Sequence, residues 1–202
     1  MPALVTQDVG RAAELLRAGG LVVYPTETFY GLGALAASAA AVARLAAAKL
    51  RPDGKPVPLV AADLAMARAL AAAFAPRAER LAARFWPGPL TLVLPAAPGL
   101  PPAVAGDGTV GVRVPGSALT RELSRLAGGP LTSTSANPSG GPPVTRPDDL
   151  DPGLRAHVDA VLDGGAVPGG LPSTVVAVEP GGLRLLRVGA IPWEAVLAGA
   201  EP

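Results

Sequence analysis

Three short stretches of this chain gather side chains suited to holding anions and polar ligands. The first is Lys49-Leu50-Arg51-Pro52-Asp53-Gly54-Lys55, which puts three cations within seven residues. A guanidinium grips phosphate or carboxylate oxygens as a planar fork, whereas an ammonium acts as a compact point charge. Of the 17 basic residues, Lys49 and Lys55 are the only lysines, and both fall here. The same cations also suit the negative end of a helix dipole, and both readings stand at this level. The stretch is not a P-loop, because no G-x-x-x-x-G-K-S/T pattern occurs.

The second stretch is Thr132-Ser133-Thr134-Ser135-Ala136-Asn137-Pro138-Ser139-Gly140, with five hydroxyls and the only asparagine of the chain. Read as a strand end, it puts Ser133 and Ser135 on one face and Thr132 and Thr134 on the other. Asn137 is able to read a purine edge or hold a phosphate oxygen; a merely structural polar loop would also hold Pro, Gly and Ser. The third stretch runs from Tyr24 to Gly33 (YPTETFYGLG) and offers the Thr26 and Thr28 hydroxyls beyond a strand end, where α/β sheets place their ligands. Gly31 and Gly33 permit close backbone approach there. Its alternative is a turn whose threonines satisfy their own backbone.

Shorter segments add to these. Gly111-Val112-Arg113-Val114-Pro115 places one guanidinium in an apolar strand, so Arg113 needs an anion, from a ligand or from an internal carboxylate. Ser173 and Arg187 stand at further strand boundaries, in Pro172-Ser173-Thr174-Val175-Val176 and Leu186-Arg187-Val188-Gly189. The composition narrows the chemistry to these groups. With no cysteine and a single histidine, His157, there is no thiolate site, no multi-histidine zinc site and little support for a serine–histidine triad. A net charge of +1 gives no global pull toward nucleic acid. No apolar run is long enough to span a bilayer, and no secretory signal is visible, so a cytoplasmic setting is expected.

The elements that must position these groups alternate between helix and strand. Thr6 is expected to cap a helix running to Gly19-Gly20, and Ser38 one running to about Lys49. Asp63 opens a helix to about Ala73, and Pro76 one to about Phe85. A further helix covers 117–127, ended by Gly128-Gly129, and Pro192 opens the last. Strands are expected at Leu21–Tyr24, Leu59–Ala61, Leu90–Leu94, Thr109–Val114, Leu131–Thr134, Val158–Leu162, Thr174–Val178 and Leu183–Val188. Interleaving without regular repetition points to an α/β domain on a twisted mixed sheet rather than a barrel.

Taken in order, PTETFYGLG, the pair Lys49/Arg51, WPGPLTLVL, GVRVP, TSTSANPSG, PSTVV and LLRVGAI resemble the YrdC-type threonylcarbamoyl-AMP synthase family from about Gly19 to Ile191. The resemblance implies one YrdC-like domain over 1–202, without the extra C-terminal domain of longer members, and a concave, positively charged cleft with flanking helices. It implies synthesis of threonylcarbamoyl-AMP and pyrophosphate from L-threonine, bicarbonate and ATP, the first step of threonylcarbamoyladenosine formation at position 37 of transfer RNA. By position, Lys49, Arg51, Thr109, Ser135, Asn137 and Arg187 hold ATP, with Lys49 and Arg51 as the catalytic cations and Lys55 added on the phosphates. Thr26, Arg113, Ser133 and Ser173 hold threonine. Mg²⁺ is expected on the ATP phosphates without a dedicated protein site, and a threonylcarbamoyl transferase is the expected downstream partner, with weak binding of transfer RNA or other RNA left open. Gly116-Ser117 after GVRVP and Ala177 after STVV depart from the family's pattern. Two other readings are a non-catalytic RNA-binding module with a basic groove and a carbamoyl-transfer module of the hydrogenase-maturation type.

Overall fold

The computed structural model describes residues 3–49, 56–105 and 107–201. In chain order the elements are β1 (Leu4–Thr6), α1 (Val9–Arg17), β2 (Val22–Pro25), β3 (Tyr30–Gly33), α2 (Ala39–Ala48), β4 (Leu59–Val60), α3 (Leu64–Arg68), α4 (Pro76–Phe85), β5 (Leu90–Pro95) and β6 (Thr109–Arg113). There follow α5 (Ala118–Ala127), β7 (Leu131–Thr132), β8 (Thr134–Ser135), α6 (Pro152–Arg155), β9 (Ala160–Leu162), β10 (Thr174–Glu179), β11 (Gly182–Arg187) and α7 (Trp193–Ala200).

Among the described residues the strands make two mixed sheets. One has the order β1-β9-β2-β3-β8 and the other β11-β10-β5-β6-β4-β7. Apolar side chains from both sheets share a core, with Val23, Tyr30 and Leu32 of the first packing with Leu59, Val110 and Val112 of the second. Helices α1 and α5 cover the first sheet through Ala12, Ala13, Leu16, Leu123 and Ala127. Helices α4 and α7 cover the second through Leu81, Ala82, Val196 and Ala200. No described helix is long and apolar enough to cross a membrane.

Local chemistry explains the helix ends. Ser38 and Ser117 cap α2 and α5 by accepting from Ala41 N and Thr120 N, and Pro76 occupies the first turn of α4, where a missing N–H costs nothing. Three expectations fail, and one strand is new. Asp8, not Thr6, caps α1, accepting from Arg11 N, while Thr6 ends the short strand β1 and accepts from Asp8 N. The helix opened by Asp63 stops at Arg68, because Ala71 leaves it to bridge Ala96. Tyr30–Gly33, assigned to no element from the sequence, is a strand, β3: Gly33 lies against the Tyr24 ring and the Thr132 carbonyl, where a Cβ would approach within 2.6 and 2.5 Å. Leu131–Thr134 is not one strand, since β7 pairs with β4 in one sheet and β8 with β3 in the other.

Candidate functional site

Where the two sheets meet, residues from both wall a cavity of about 440 Å³, within the usual range for small-molecule sites. The β2–β3 turn contributes Thr26 and Thr28, β5 Thr91, and the end of β6 Arg113. The crossing between the sheets contributes Ser133, Thr134, Ser135 and Asn137, and the loop into β10 with the end of β11 contributes Ser173 and Arg187. Both charged side chains on this described wall are guanidiniums.

Arg113 is buried, with 6% of its surface exposed. Its Nη2 lies 3.7 Å from Glu27 Oε2, an ion-pair distance beyond hydrogen-bond reach. No side-chain hydrogen bond joins Arg113 to another described residue, so its donor fork stays available at the cavity wall. The Glu27 carboxylate oxygens are sealed from water and accept no hydrogen bond from a described residue. Both expected origins of the Arg113 anion thus coexist: a carboxylate behind it and open space in front.

Arg187 is arranged differently. Its Nε and Nη2 donate to the Ser173 carbonyl at 3.0 and 2.8 Å, and Nη2 also reaches Ser173 Oγ at 2.8 Å. Ser173 Oγ in turn pairs with Thr91 Oγ1 at 2.9 Å. Burial, and then the positive charge of Arg113, lower the Arg187 pKa, which places two guanidiniums within electrostatic reach of each other. Gly189 secures this corner. A Cβ there would come within 2.5 Å of Ser173 C and closer still to Pro172 O and Thr174 N.

The threonines of the β2–β3 turn behave largely as their structural alternative describes. Thr26 Oγ1 donates to Phe29 O at 2.7 Å and accepts from Thr28 N and Phe29 N, both at 3.2 Å. It lines the cavity with its hydrogen-bonding capacity engaged by its own turn. Thr28 Oγ1 meets Thr26 Oγ1 at 3.2 Å. Behind them Tyr24 is wholly buried, its hydroxyl donates to Thr132 O at 2.9 Å, and burial raises its pKa to about 12.

Lys49 caps the C-terminus of α2 and is 5% exposed. Its Nζ donates to Ser135 O at 2.5 Å and stands 3.4 Å from Ser135 Oγ, while Ser139 Oγ donates to the Lys49 carbonyl at 2.9 Å. The lysine and the Ser/Asn segment, far apart in sequence, are therefore tied together. Arg51 and Lys55 lie outside the described residues. Asn137 Nδ2 donates to Pro138 O and Gly141 O, leaving Oδ1 buried without a hydrogen bond from a described residue.

Of the residues singled out from sequence, the cavity wall unites Thr26, Arg113, Ser133, Ser135, Asn137, Ser173 and Arg187. Thr109 is not on it. It begins β6 opposite Pro95, four residues or about 13 Å of strand from Arg113, and its hydroxyl donates to Asp107 Oδ1 at 2.7 Å. Sequence reasoning missed Thr91 and Glu27. A lone hydroxyl within the apolar run Leu90-Thr91-Leu92-Val93-Leu94 is a signal of the kind that drew attention to Arg113. Glu27 stood inside a recognised segment, but nothing local marked it as the neighbour of Arg113.

The Sua5/YciO/YrdC family, described as telomere recombination, matches residues 14–189. A threonylcarbamoyl-AMP synthase of Stenotrophomonas maltophilia (strain K279a) is 43% identical over a region covering 76% of this chain and 84% of its own length. That of Pyrococcus abyssi is 39% identical over 92% of this chain and 55% of its own. The solved structure of P. abyssi Sua5 complexed with L-threonine has a TM-score of 0.92 at 35% identity, covering 98% of this chain and 61% of that one. The chain thus spans a little over half the length of its Pyrococcus relative.

Proposed function

Because the chain belongs to the Sua5/YciO/YrdC family, we propose that its cavity makes threonylcarbamoyl-AMP and pyrophosphate from L-threonine, bicarbonate and ATP, the first step of threonylcarbamoyladenosine formation on transfer RNA. The observation that carries this reading is Arg113: a buried guanidinium with its donors unengaged by described residues, facing a cavity lined with hydroxyls. Such a fork suits the α-carboxylate of an amino acid, bound bidentately. Ser133, Thr28 and the Thr91–Ser173 pair surround it with groups that donate or accept, as a zwitterion with a hydroxyl side chain requires. Thr26 shapes the floor through its turn.

The nucleotide occupies the side of Ser135, Asn137 and Arg187, with Lys49, Arg51 and Lys55 serving its phosphates. Threonine's amine and CO₂ combine to a carbamate, one carbamate oxygen attacks the α-phosphorus, and the bond to the bridging oxygen breaks as pyrophosphate leaves. The protein's work is alignment and charge neutralisation, which this set of cations and hydroxyls can perform without a side-chain nucleophile. Mg²⁺ enters on the phosphates as part of the nucleotide substrate. The reading takes the chain as one YrdC-like domain in a cytoplasmic setting that passes its product to a threonylcarbamoyl transferase.

The test is pyrophosphate release from ATP with each amino acid, with and without bicarbonate. Release that needs both L-threonine and bicarbonate is expected. Full release in CO₂-depleted buffer, or release indifferent to the amino acid, would sink the proposal.

A further inference from the structure

We propose that Glu27 is a positioning residue: a buried counter-charge that holds Arg113 at the cavity wall while leaving its hydrogen-bond donors to the ligand. The proposal rests on the functional reading above, in which Arg113 takes the threonine carboxylate. A guanidinium this deeply buried needs a negative neighbour, and Glu27 is the only one that reaches it among the described residues. An internal partner normally engages the guanidinium by hydrogen bonds, as Glu79 does with Arg68 at 2.9 and 2.6 Å. Glu27 does not, because at 3.7 Å it supplies charge without occupying the fork.

The surroundings keep it there. The Glu27 side chain runs beneath Gly116, where an added Cβ would lie 3.3 Å from both Cβ and Cγ of Glu27. Its carboxylate oxygens are sealed from water and take no hydrogen bond from a described residue. A desolvated carboxylate in this state is costly on its own, and so is the buried guanidinium; each charge offsets the cost of the other, and removing one leaves the other uncompensated. Glu27 also compensates one of the two guanidiniums that line the cavity within electrostatic reach of each other. It does not line the cavity itself and acts through Arg113. An incoming carboxylate therefore meets an Arg113 whose charge is partly balanced from behind, and binds less tightly than it would to a bare guanidinium.

This predicts an effect of unusual sign. Glu27→Gln keeps the shape and removes the charge, so the ligand-free protein should melt lower while threonine binds about tenfold tighter, a figure set by one unit charge at short range after screening. Turnover should fall, because the product keeps the same carboxylate and leaves more slowly. Calorimetric titration of the parent and of Glu27→Gln with L-threonine and with threoninol reads this directly, and threoninol should show no tightening. Glu27→Asp, which draws the charge back but keeps it, should give a threonine affinity between the two and serves if Glu27→Gln does not fold. Threonine affinity unchanged or weakened in the folded variant, or tightening shared by threoninol, overturns the role of Glu27. A parent that binds no threonine overturns the functional reading instead, and this proposal with it.

Discussion

Gly189→Ala is the most demanding test of how the site is built. The new methyl would lie about 1 Å too close to three backbone atoms of Pro172, Ser173 and Thr174, since ordinary contact begins near 3.5 Å. That backbone cannot retreat cheaply. Thr174 N donates to Pro89 O at 3.0 Å, Thr174 Oγ1 donates to Ile191 O at 2.7 Å and accepts from Ile191 N at 3.0 Å, and β10 is paired in parallel with β5. The end of β11 must yield instead, stretching the Ala190 N to Pro172 O bond of 2.8 Å. Overpacking of this kind costs about 1–3 kcal/mol. At about 2–4 °C per kcal/mol for a chain of this size, the melting temperature should fall by about 4–8 °C for a mid-range cost. The displacement carries Arg187, two residues away, off Ser173, and a shift near 1 Å at a positioning group costs about 10²-fold in rate. Melting curves, threonine titration and pyrophosphate release on one preparation separate the two losses. A variant that melts and turns over as the parent does would refute the claim that Gly189 sets the Ser173–Arg187 corner.

Lys49→Arg should lose on the order of 10²–10³ in turnover while keeping its charge, because a broad fork cannot replace a buried ammonium seated on Ser135 O; activity within about twofold of the parent, under about 0.4 kcal/mol, would return Lys49 to a helix-end role. Thr109→Val should leave ATP and threonine affinity unchanged, whereas Thr91→Val should weaken threonine by about tenfold through the loss of a buried hydrogen-bond partner for Ser173; equal effects from both would contradict the placement of β6. Tyr24 is neutral in the folded state up to a pKa of about 12, against an ordinary value of 10.0. The unfolded chain therefore loses that proton first, and stability present below pH 10 should decline by up to about 2–3 kcal/mol by pH 12. Denaturant midpoints of Tyr24→Phe against the parent should converge over that interval, and parallel curves would argue against the burial effect.

Much of this organisation was legible before the fold was known, and the gaps have physical causes. Helices α2, α4 and α5 announce themselves because a start signal (a capping serine for α2 and α5, Pro76 for α4), an apolar period and a stop lie close together in sequence. Strand β3 does not, because Gly31 and Gly33 read as loop and become strand only when the Tyr24 ring packs over them. The division of Leu131–Ser135 between sheets leaves no periodic trace, since two-residue strands are too short to show one. For the site, unusual residues in apolar company were the reliable signal, and Arg113 was found that way. Glu27 was not, as its meaning lies in a neighbour brought in by tertiary packing. Thr109 shows the converse: the family pattern points to that position, and the strand places it at the far end of β6 from Arg113, off the cavity wall.

The crossing at Ser133 gives the molecule a seam. Thr132 belongs to one sheet and Thr134 to the other, so the residue between them is the stitch, secured by Ser133 N donating to Pro58 O at 2.7 Å. The cavity is lined from both sides of that seam, so a ligand long enough to span it would touch both at once. Such a ligand therefore works as a rivet between two hydrogen-bonded panels, and the slow exchange of backbone protons should deepen on β3 and β4 together when the cavity fills. Parting the panels would likewise separate Ser133 and Arg113 from Ser135 and Thr28 before either sheet had unravelled, so binding would be lost while most of the backbone still held its hydrogen bonds.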